Sequence, residues 1–392
     1  MKVGFVVDND FINDGRVFKE VSILSTKYEV KTLCLNLDKN TVSDSKNIYS
    51  IYLSKWTKNK LFALASWLPF YKWIWAKAIR EFIIKEDIQL LHVHDLYMAP
   101  PAIDAIKNSQ RPVKLVLDLH ENFPATVLTY NWTKGFFKNL ITRPRDWARK
   151  EKDILRSVDR IITLSNDYKD SLLKRYSQLD EKKIFVFPNV IDFSRFEEFK
   201  VDKTKQRDTR VTFFYFGVVA ERRGIFDTLE VFERVLLNEQ NVLLRIIGPV
   251  DNADKDRFHR FITKDSLKNN IEYTEWIHIQ DLLTELNRVD VCLAPFHVNK
   301  QHNSGVANKI FQYMYAEKPL IVSNCTPQAK LINDANCGLV YKSQEAYLAS
   351  IISLTKQKDL RNKLGANAKK YLHDNYDGES HAEQLFKVYE PI

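Results

Sequence analysis

The chain has 392 residues, 45% of them apolar and 28% charged, with a formal net charge of +9. That length predicts two or three domains rather than one core, and the composition is that of a globular protein rather than a low-complexity chain. The basic balance suits nucleic acid, an anionic membrane surface or a phosphorylated substrate without choosing among them, although no single-strand reading motif or recognition helix speaks for nucleic acid.

The N-terminus, Met1 to Asp8, turns polar too soon for a signal peptide, so a cytoplasmic protein is expected. Short apolar runs then alternate with helical stretches, which predicts parallel sheets covered by helices. In the first half the predicted strands are Lys2–Val7, Val30–Leu35, Leu90–Val93, Leu115–Asp118, Arg160–Leu164 and Ile184–Phe187, with helices such as Val17–Ser25 and Asp167–Tyr176 between them.

The stretch from Trp56 to Trp75 is unusual. From Lys55 to Lys85 there are seven Lys or Arg residues and one acid, interleaved with tryptophans. The run is too short to span a bilayer. It suits a helix in the headgroup layer of an anionic membrane, with Trp67, Lys72, Trp73 and Trp75 as the expected contacts. A second basic stretch, Trp132 to Arg156, interleaves Phe136, Phe137 and Trp147. The plainer reading of both is an apolar helix packed on a sheet.

Residues Glu197–Arg210 are almost wholly polar and read as a linker. The pattern then restarts, with predicted strands at Val211–Phe216, Val242–Ile247, Ile271–Tyr273, Val291–Ala294, Leu320–Ser323 and Leu339–Tyr341. Helices are predicted at Phe226–Asn238, Ile279–Asn287 and Asn308–Tyr315, and the tail from about Gln344 is helical to Tyr389. Cys34, Cys292, Cys325 and Cys337 lack metal-ligand spacing, and Cys34 and Cys292 sit in strand-like runs as buried thiols.

Two loops carry chemistry. Gly217 to Gly224 is a basic, glycine-bounded loop between a strand and a helix, and Asn303 to Asn308 is a small-residue loop opening a second helix. Both aim backbone N–H groups and a fixed cation outward, as phosphate sites do. Two such loops in one α/β unit suit a ligand with a diphosphate at its centre.

These residues resemble the GT-B-fold retaining glycosyltransferases of family 4, the glycosyl transferases group 1. Gly217-Val218-Val219-Ala220-Glu221-Arg222-Arg223-Gly224 matches the family's Gly-Arg-x-x-x-x-Lys-Gly, with Arg223 in place of the phosphate-binding lysine and Val218 in place of the arginine. Ser304 and Gln312 stand where the family has two glutamates eight positions apart. Asp14-Gly15-Arg16, His94-Asp95, Asp118-Leu119-His120-Glu121 and Pro188-Asn189-Val190-Ile191-Asp192 resemble N-terminal family motifs.

The resemblance implies an α/β GT-B architecture of two Rossmann-like, doubly wound parallel-sheet domains facing across a cleft. Residues 1–195 would bind the acceptor and 196–372 the nucleotide-sugar donor, with a C-terminal helix, 373–392, packing back on the first domain. It implies donor contacts at Gly217, Arg222, Arg223, Gly248, Ile277, Ser304, Gly305, Val306, Lys309 and Gln312. Acceptor-side residues would be Asp14, Gly15, Arg16, His94, Asp95, Asp118 and Glu121. His120, Arg223 and Lys309 would be catalytic, the two cations stabilising the departing phosphate. Glutamine at 312 keeps one acceptor for ribose but gives up a charge-assisted bond, a loss of about 1 kcal/mol.

The implied partners are a nucleotide-sugar and a glycan or lipid-linked acceptor in surface polysaccharide or glycolipid synthesis, on the inner face of a membrane. No cofactor and no metal is expected, since Gly217–Gly224 and Asn303–Asn308 hold no Asp-x-Asp motif. The departures at Val218, Ser304 and Gln312 keep a weak or inactive nucleotide-sugar-binding partner subunit open, and the fold also admits a nucleotide-sugar epimerase.

Overall fold

The computed structural model describes residues 1–11, 14–37, 47–130, 132–133, 135–376 and 378–390. The chain forms two compact units, Met1–Pro188 with Glu379–Ile392, and Asn189–Gly378. The second unit thus begins several residues before 196. The short helix Phe193–Glu197 explains this, because its Phe196 is buried in the second unit's core.

The first unit is built on a parallel seven-stranded sheet of order β3-β2-β1-β4-β5-β6-β7. The strands are β1 (Lys2–Val7), β2 (Glu29–Asn36), β3 (Ile48–Tyr52), β4 (Leu90–His94), β5 (Lys114–Asp118), β6 (Arg160–Thr163) and β7 (Ile184–Val186). The edge strand β3 was not expected from the sequence. Its residues are exposed or half-buried, so it lacks the continuous apolar run by which buried parallel strands are recognised.

Strand alternation distributes the core over both faces of this sheet. Val3, Phe5 and Val7 of β1 join one cluster, completed by Leu385, Val388 and Tyr389 at the C-terminus. Val6 joins the other, with Tyr71, Trp75, Ile79 and Ile83 of the helix Phe70–Glu86. Trp75 is fully buried there, so it is a core residue and cannot be a membrane contact.

The second unit has a parallel six-stranded sheet of order β10-β9-β8-β11-β12-β13. Its strands are β8 (Val211–Phe216), β9 (Val242–Ile247), β10 (Ile271–Thr274), β11 (Val291–Ala294), β12 (Leu320–Ser323) and β13 (Gly338–Tyr341). Alternation again divides the core, with Phe213 and Tyr215 on one face and Phe214 on the other.

The polar stretch after Glu197 is part of this unit rather than a linker between domains. Phe199 and Val201 pack against its core. The Asp202 N–H donates to Thr284 Oγ1 at 2.9 Å, Lys205 pairs with Glu285 at 3.2 Å, and Arg207 pairs with Asp290 at 2.6 Å. Its Lys205 and Arg207 are matched to acids of the unit, a pairing that composition does not reveal. The helix Lys358–Asn375 packs Ala368 and Leu372 into the second unit, and the next helix, Gly378–Lys387, brings Leu385 into the first. All four cysteines are buried free thiols.

Candidate active site

In the second unit, chain geometry after β8 and β9 is set by close backbone contact. Gly217 follows β8 with φ +117°, where side chains are disfavoured. A Cβ on Gly248, which follows β9, would lie 2.1 Å from the Gly217 carbonyl oxygen. At Gly224 a Cβ would lie 1.7 Å from the Pro295 carbonyl oxygen, so only glycine lets the helix Ile225–Val235 start against the end of β11.

Two cations converge on this loop. A Cβ built on Gly217 would be 3.4 Å from Lys309 Nζ and 3.8 Å from Arg223 Nη1. Arg223 ends the 3-10 turn Glu221–Arg223, and Lys309 lies in the first turn of the helix Asn308–Tyr315. Lys309 is 6% exposed, and among the described residues neither its Nζ nor Arg223 Nε has a hydrogen-bond partner. The Lys309 ammonium sits instead over the Tyr215 ring at 4.1 Å and the Phe296 ring at 5.0 Å. Burial, with Arg223 adding repulsion, holds the Lys309 amine well below the usual lysine range. A cation at a helix N-terminus also opposes the helix dipole. Two unpaired cations in such a place create a site whose missing partner is an anion.

The other expected donor residues divide. Arg222 is ion-paired with Asp251 at 3.0 Å, so it is held away from the role given to Arg223. Gln312 lies one turn after Lys309 and is half-buried on the same side of the helix. The Ser304 N–H and hydroxyl both donate to the Gln301 carbonyl oxygen, at 3.1 and 2.6 Å, so that N–H is not one offered to a ligand. Gly305 and Val306 follow in irregular backbone before the helix, where Val306 O accepts from Asn189 at 3.4 Å. Ile277 packs its side chain against the core. Trp276 beside it is 61% exposed and therefore not a core residue.

In the first unit, alternation puts His92 and His94 on one face of β4 and Asp118 beside them on β5, where His94 and Asp118 are register partners. The helix Gly15–Ser25, capped by the Asp14 carboxylate on the Val17 N–H, lays Arg16 and Glu20 over that face. Arg16 grips Asp118 with two hydrogen bonds, 2.8 and 2.9 Å, donates to Phe187 O at 3.0 Å, and pairs with Glu20 at 3.0 Å. His120 Nε2 is 3.2 Å from Asp118 Oδ2 and 2.8 Å from His94 Nδ1.

The electrostatics follow from this packing. Burial works against charge on His120, yet Asp118 and Asp95 raise it to about 9, so it is an imidazolium at neutral pH. Burial pushes His94 down to about 4. Burial opposes charge on Asp118 as well, but Arg16 and His120 keep it well below the usual carboxylate range.

Arg16, His94 and Asp118 are thus buried and committed to one another, instead of facing an acceptor directly. Glu20, His92, His94 and Asp118 bring potential ligand atoms within 4.8 Å of one another, a set that could hold a metal. Arg16 is ion-paired to both of these carboxylates and already supplies a cation there.

Asp95, His120 and Glu121 do face open space. They line a cavity of about 420 Å³ with Asp8, Lys58, Phe62, Tyr97, Tyr130 and Trp132 among its walls. Asp95 has φ +71° and ψ 142°, a conformation that non-glycine residues rarely adopt; its N–H bond to Asp118 O at 2.8 Å helps hold it. Burial raises Asp8 to about 6 and Glu121 to about 7. Tyr130 and Trp132 stack with ring centroids 5.8 Å apart and form an aromatic wall of the cavity. Gly15 has no atom within 4 Å of where a Cβ would be. Asp8 and Tyr130 were not singled out from the sequence. The position of Asp8, directly after β1, was the available signal, since ligands of open α/β sheets gather at strand carboxyl ends.

Two family models match the chain: Glycosyltransferase Family 4 over residues 36–195 and Glycosyl transferases group 1 over residues 196–371. The capsular polysaccharide biosynthesis glycosyltransferase CapM of Staphylococcus aureus is 21% identical over 206 residues, 50% of this chain and 52% of CapM, so the match spans about half of that relative. Sucrose-phosphate synthase from Thermosynechococcus elongatus superposes with a TM-score of 0.76 at 14% identity, covering 99% of this chain and 98% of that one. Anabaena Alr3699/HepE in complex with UDP and glucose superposes with a TM-score of 0.75 at 12% identity over the whole of both chains. The fold is therefore GT-B.

Proposed function

The chain belongs to the group 1, family 4-like glycosyltransferases, and from that premise we propose that it transfers a sugar from a nucleoside diphosphate donor, with retention and without a metal, to a glycan or lipid-linked acceptor. One observation carries the donor assignment: Lys309 Nζ and Arg223 meet over Gly217, and among the described residues neither Lys309 Nζ nor Arg223 Nε has a hydrogen-bond partner. A diphosphate would supply an anionic partner and be held by both.

The chemical task is to stabilise charge on the departing phosphate, and preorganised cations in a water-poor site do this at little reorganisation cost. Two fixed cations are the reason a metal is not invoked. Arg223 contributes a guanidinium fork matched to phosphate oxygens. Gln312, one turn from Lys309, is placed to bond the donor's ribose. In the first unit, His120 as an imidazolium would donate a hydrogen bond to the transferred sugar or the acceptor. Asp118 and His94 act through His120 and are positioning residues.

The cavity lined by Asp95, Glu121, Tyr130 and Trp132 is assigned to the acceptor. Its aromatic wall and carboxylates suit a saccharide, and a capsular role for the CapM relative supports surface polysaccharide as the product. A hexose donor used at the cytoplasmic face of a membrane is the form of this reading that fits a lipid-linked acceptor.

The test is to incubate the protein with UDP-, GDP-, ADP- and CMP-sugars and a membrane extract, and to measure released nucleotide and labelled product. Release that depends on extract, and is lost in Arg223→Ala, supports transfer. Nucleotide-sugar binding without release would assign the chain to the second reading, a binding subunit, which the internal bonding of Ser304 favours.

A further inference from the structure

The first unit contains a helix turned inside out. Phe136–Thr142, FFKNLIT, buries only Thr142. Phe136 is 78% exposed, Phe137 76%, Leu140 61% and Ile141 53%. A helix on a globular domain ordinarily turns its apolar stripe inward, and contiguous exposed apolar surface marks an interaction site.

This helix is fixed in place and continuous with a second exposed segment. The Ser66 hydroxyl donates to Thr142 O, and Trp67 Nε1 donates to Ile141 O at 2.6 Å. The Arg143 guanidinium lies over the Trp67 ring at 4.8 Å. Trp67 is itself 42% exposed, and Phe70 and Trp73 farther along are exposed with rings edge-on at 5.6 Å.

The rim is predominantly positive. Residues 132–150 contain six Lys or Arg and one acid, and Lys138, Arg143, Arg145 and Arg149 are exposed. Exposed aromatics beside cations match the headgroup layer of an anionic bilayer. A second copy of the chain would bring this positive rim against itself, which opposes a symmetric dimer. Among the described residues no helix is long and apolar enough to cross a membrane, so attachment here would be to the surface.

We propose that Phe136, Phe137, Leu140 and Ile141, with Trp67 beside them, form a docking face that inserts into the headgroup layer of an anionic bilayer. The helix that inserts is not the tryptophan-rich one, because Trp75 is core and Lys72 is paired with Asp104 at 2.6 Å. The assignment rests on this surface alone. It deepens the proposed function only in bringing the enzyme to a lipid-linked acceptor.

Flotation of the full chain with vesicles tests it. The wild type should float with mixed phosphatidylcholine–phosphatidylglycerol vesicles and not with phosphatidylcholine alone, and high salt should weaken binding. Phe136→Ser with Phe137→Ser should lower binding about tenfold or more, with thermal unfolding and nucleotide binding unchanged because both rings are in solvent. Wild-type protein that ignores anionic vesicles, or a double variant that floats equally well, overturns the proposal. So does a wild-type dimer in sedimentation velocity that the double substitution disperses, with no vesicle binding. Loss of nucleotide binding in Arg223→Ala with flotation intact bears on the donor site only.

Discussion

His120 Nε2 lies 2.8 Å from His94 Nδ1, and only one proton can occupy that line. With His120 raised to about 9 and His94 lowered to about 4, His120 is the donor and His94 the acceptor at neutral pH. His94 then carries its proton on Nε2, a buried atom without a partner. The arrangement leaves His120 Nδ1–H as the group able to serve a ligand, a donor and not a base.

A pH dependence follows. The His120 pKa is raised above its unfolded value, so its contribution to stability is complete below about 6.5 and is lost as pH rises toward about 9. Transfer activity should fall over the upper part of that range. Asp118→Asn removes the main stabilising charge while burial remains, and should bring His120 below 6.5. Ring-proton NMR titration measures both. A wild-type His120 that titrates near 6.5 would contradict the assignment.

Adjacent arginines should separate cleanly. Arg223→Ala should weaken nucleoside diphosphate binding about 10- to 100-fold, the worth of a hydrogen bond to a charged group. Arg222→Ala should change it by less than about threefold, since its guanidinium is committed to the part-exposed pair with Asp251. Isothermal titration calorimetry with UDP and GDP distinguishes them, and equal effects would remove Arg223 from the site.

Lys309→Met should make the free protein more stable and a poorer binder. The folded-state pKa of Lys309 is depressed, so the charged form opposes folding. Wild-type stability should therefore rise with pH between the folded value and the ordinary lysine value. Removing the unpaired ammonium should contribute about 1–3 kcal/mol in urea unfolding. Diphosphate binding should be weaker in the variant, read by isothermal titration calorimetry. A destabilised variant would show that Lys309 already has an anionic partner.

Two tryptophans two residues apart should behave oppositely. Trp75→Ala should cost about 3–5 kcal/mol, because it empties a fully buried site. Trp73→Ala should stay within about 0.5 kcal/mol, its ring being 58% exposed. Guanidinium unfolding midpoints compare them.

Sequence alone determined whatever depends on local periodicity. Continuous apolar runs gave β1, β8, β9, β11 and β12 at their observed limits, because a strand covered on both faces cannot hide its composition. The loop glycines were legible too: Gly217 and Gly224 adopt φ +117° and +73°, and such backbone favours glycine. Only the tertiary structure decided what each charge faces. Arg222 and Arg223 are neighbours, yet Asp251 claims one and leaves the other beside Lys309. Arg16 and Asp118 are 102 residues apart and pair in the interior. Trp73 and Trp75 share a helix and part between solvent and core. Charge and burial are set by neighbours brought from distant segments, and pattern along the chain does not record which neighbours arrive.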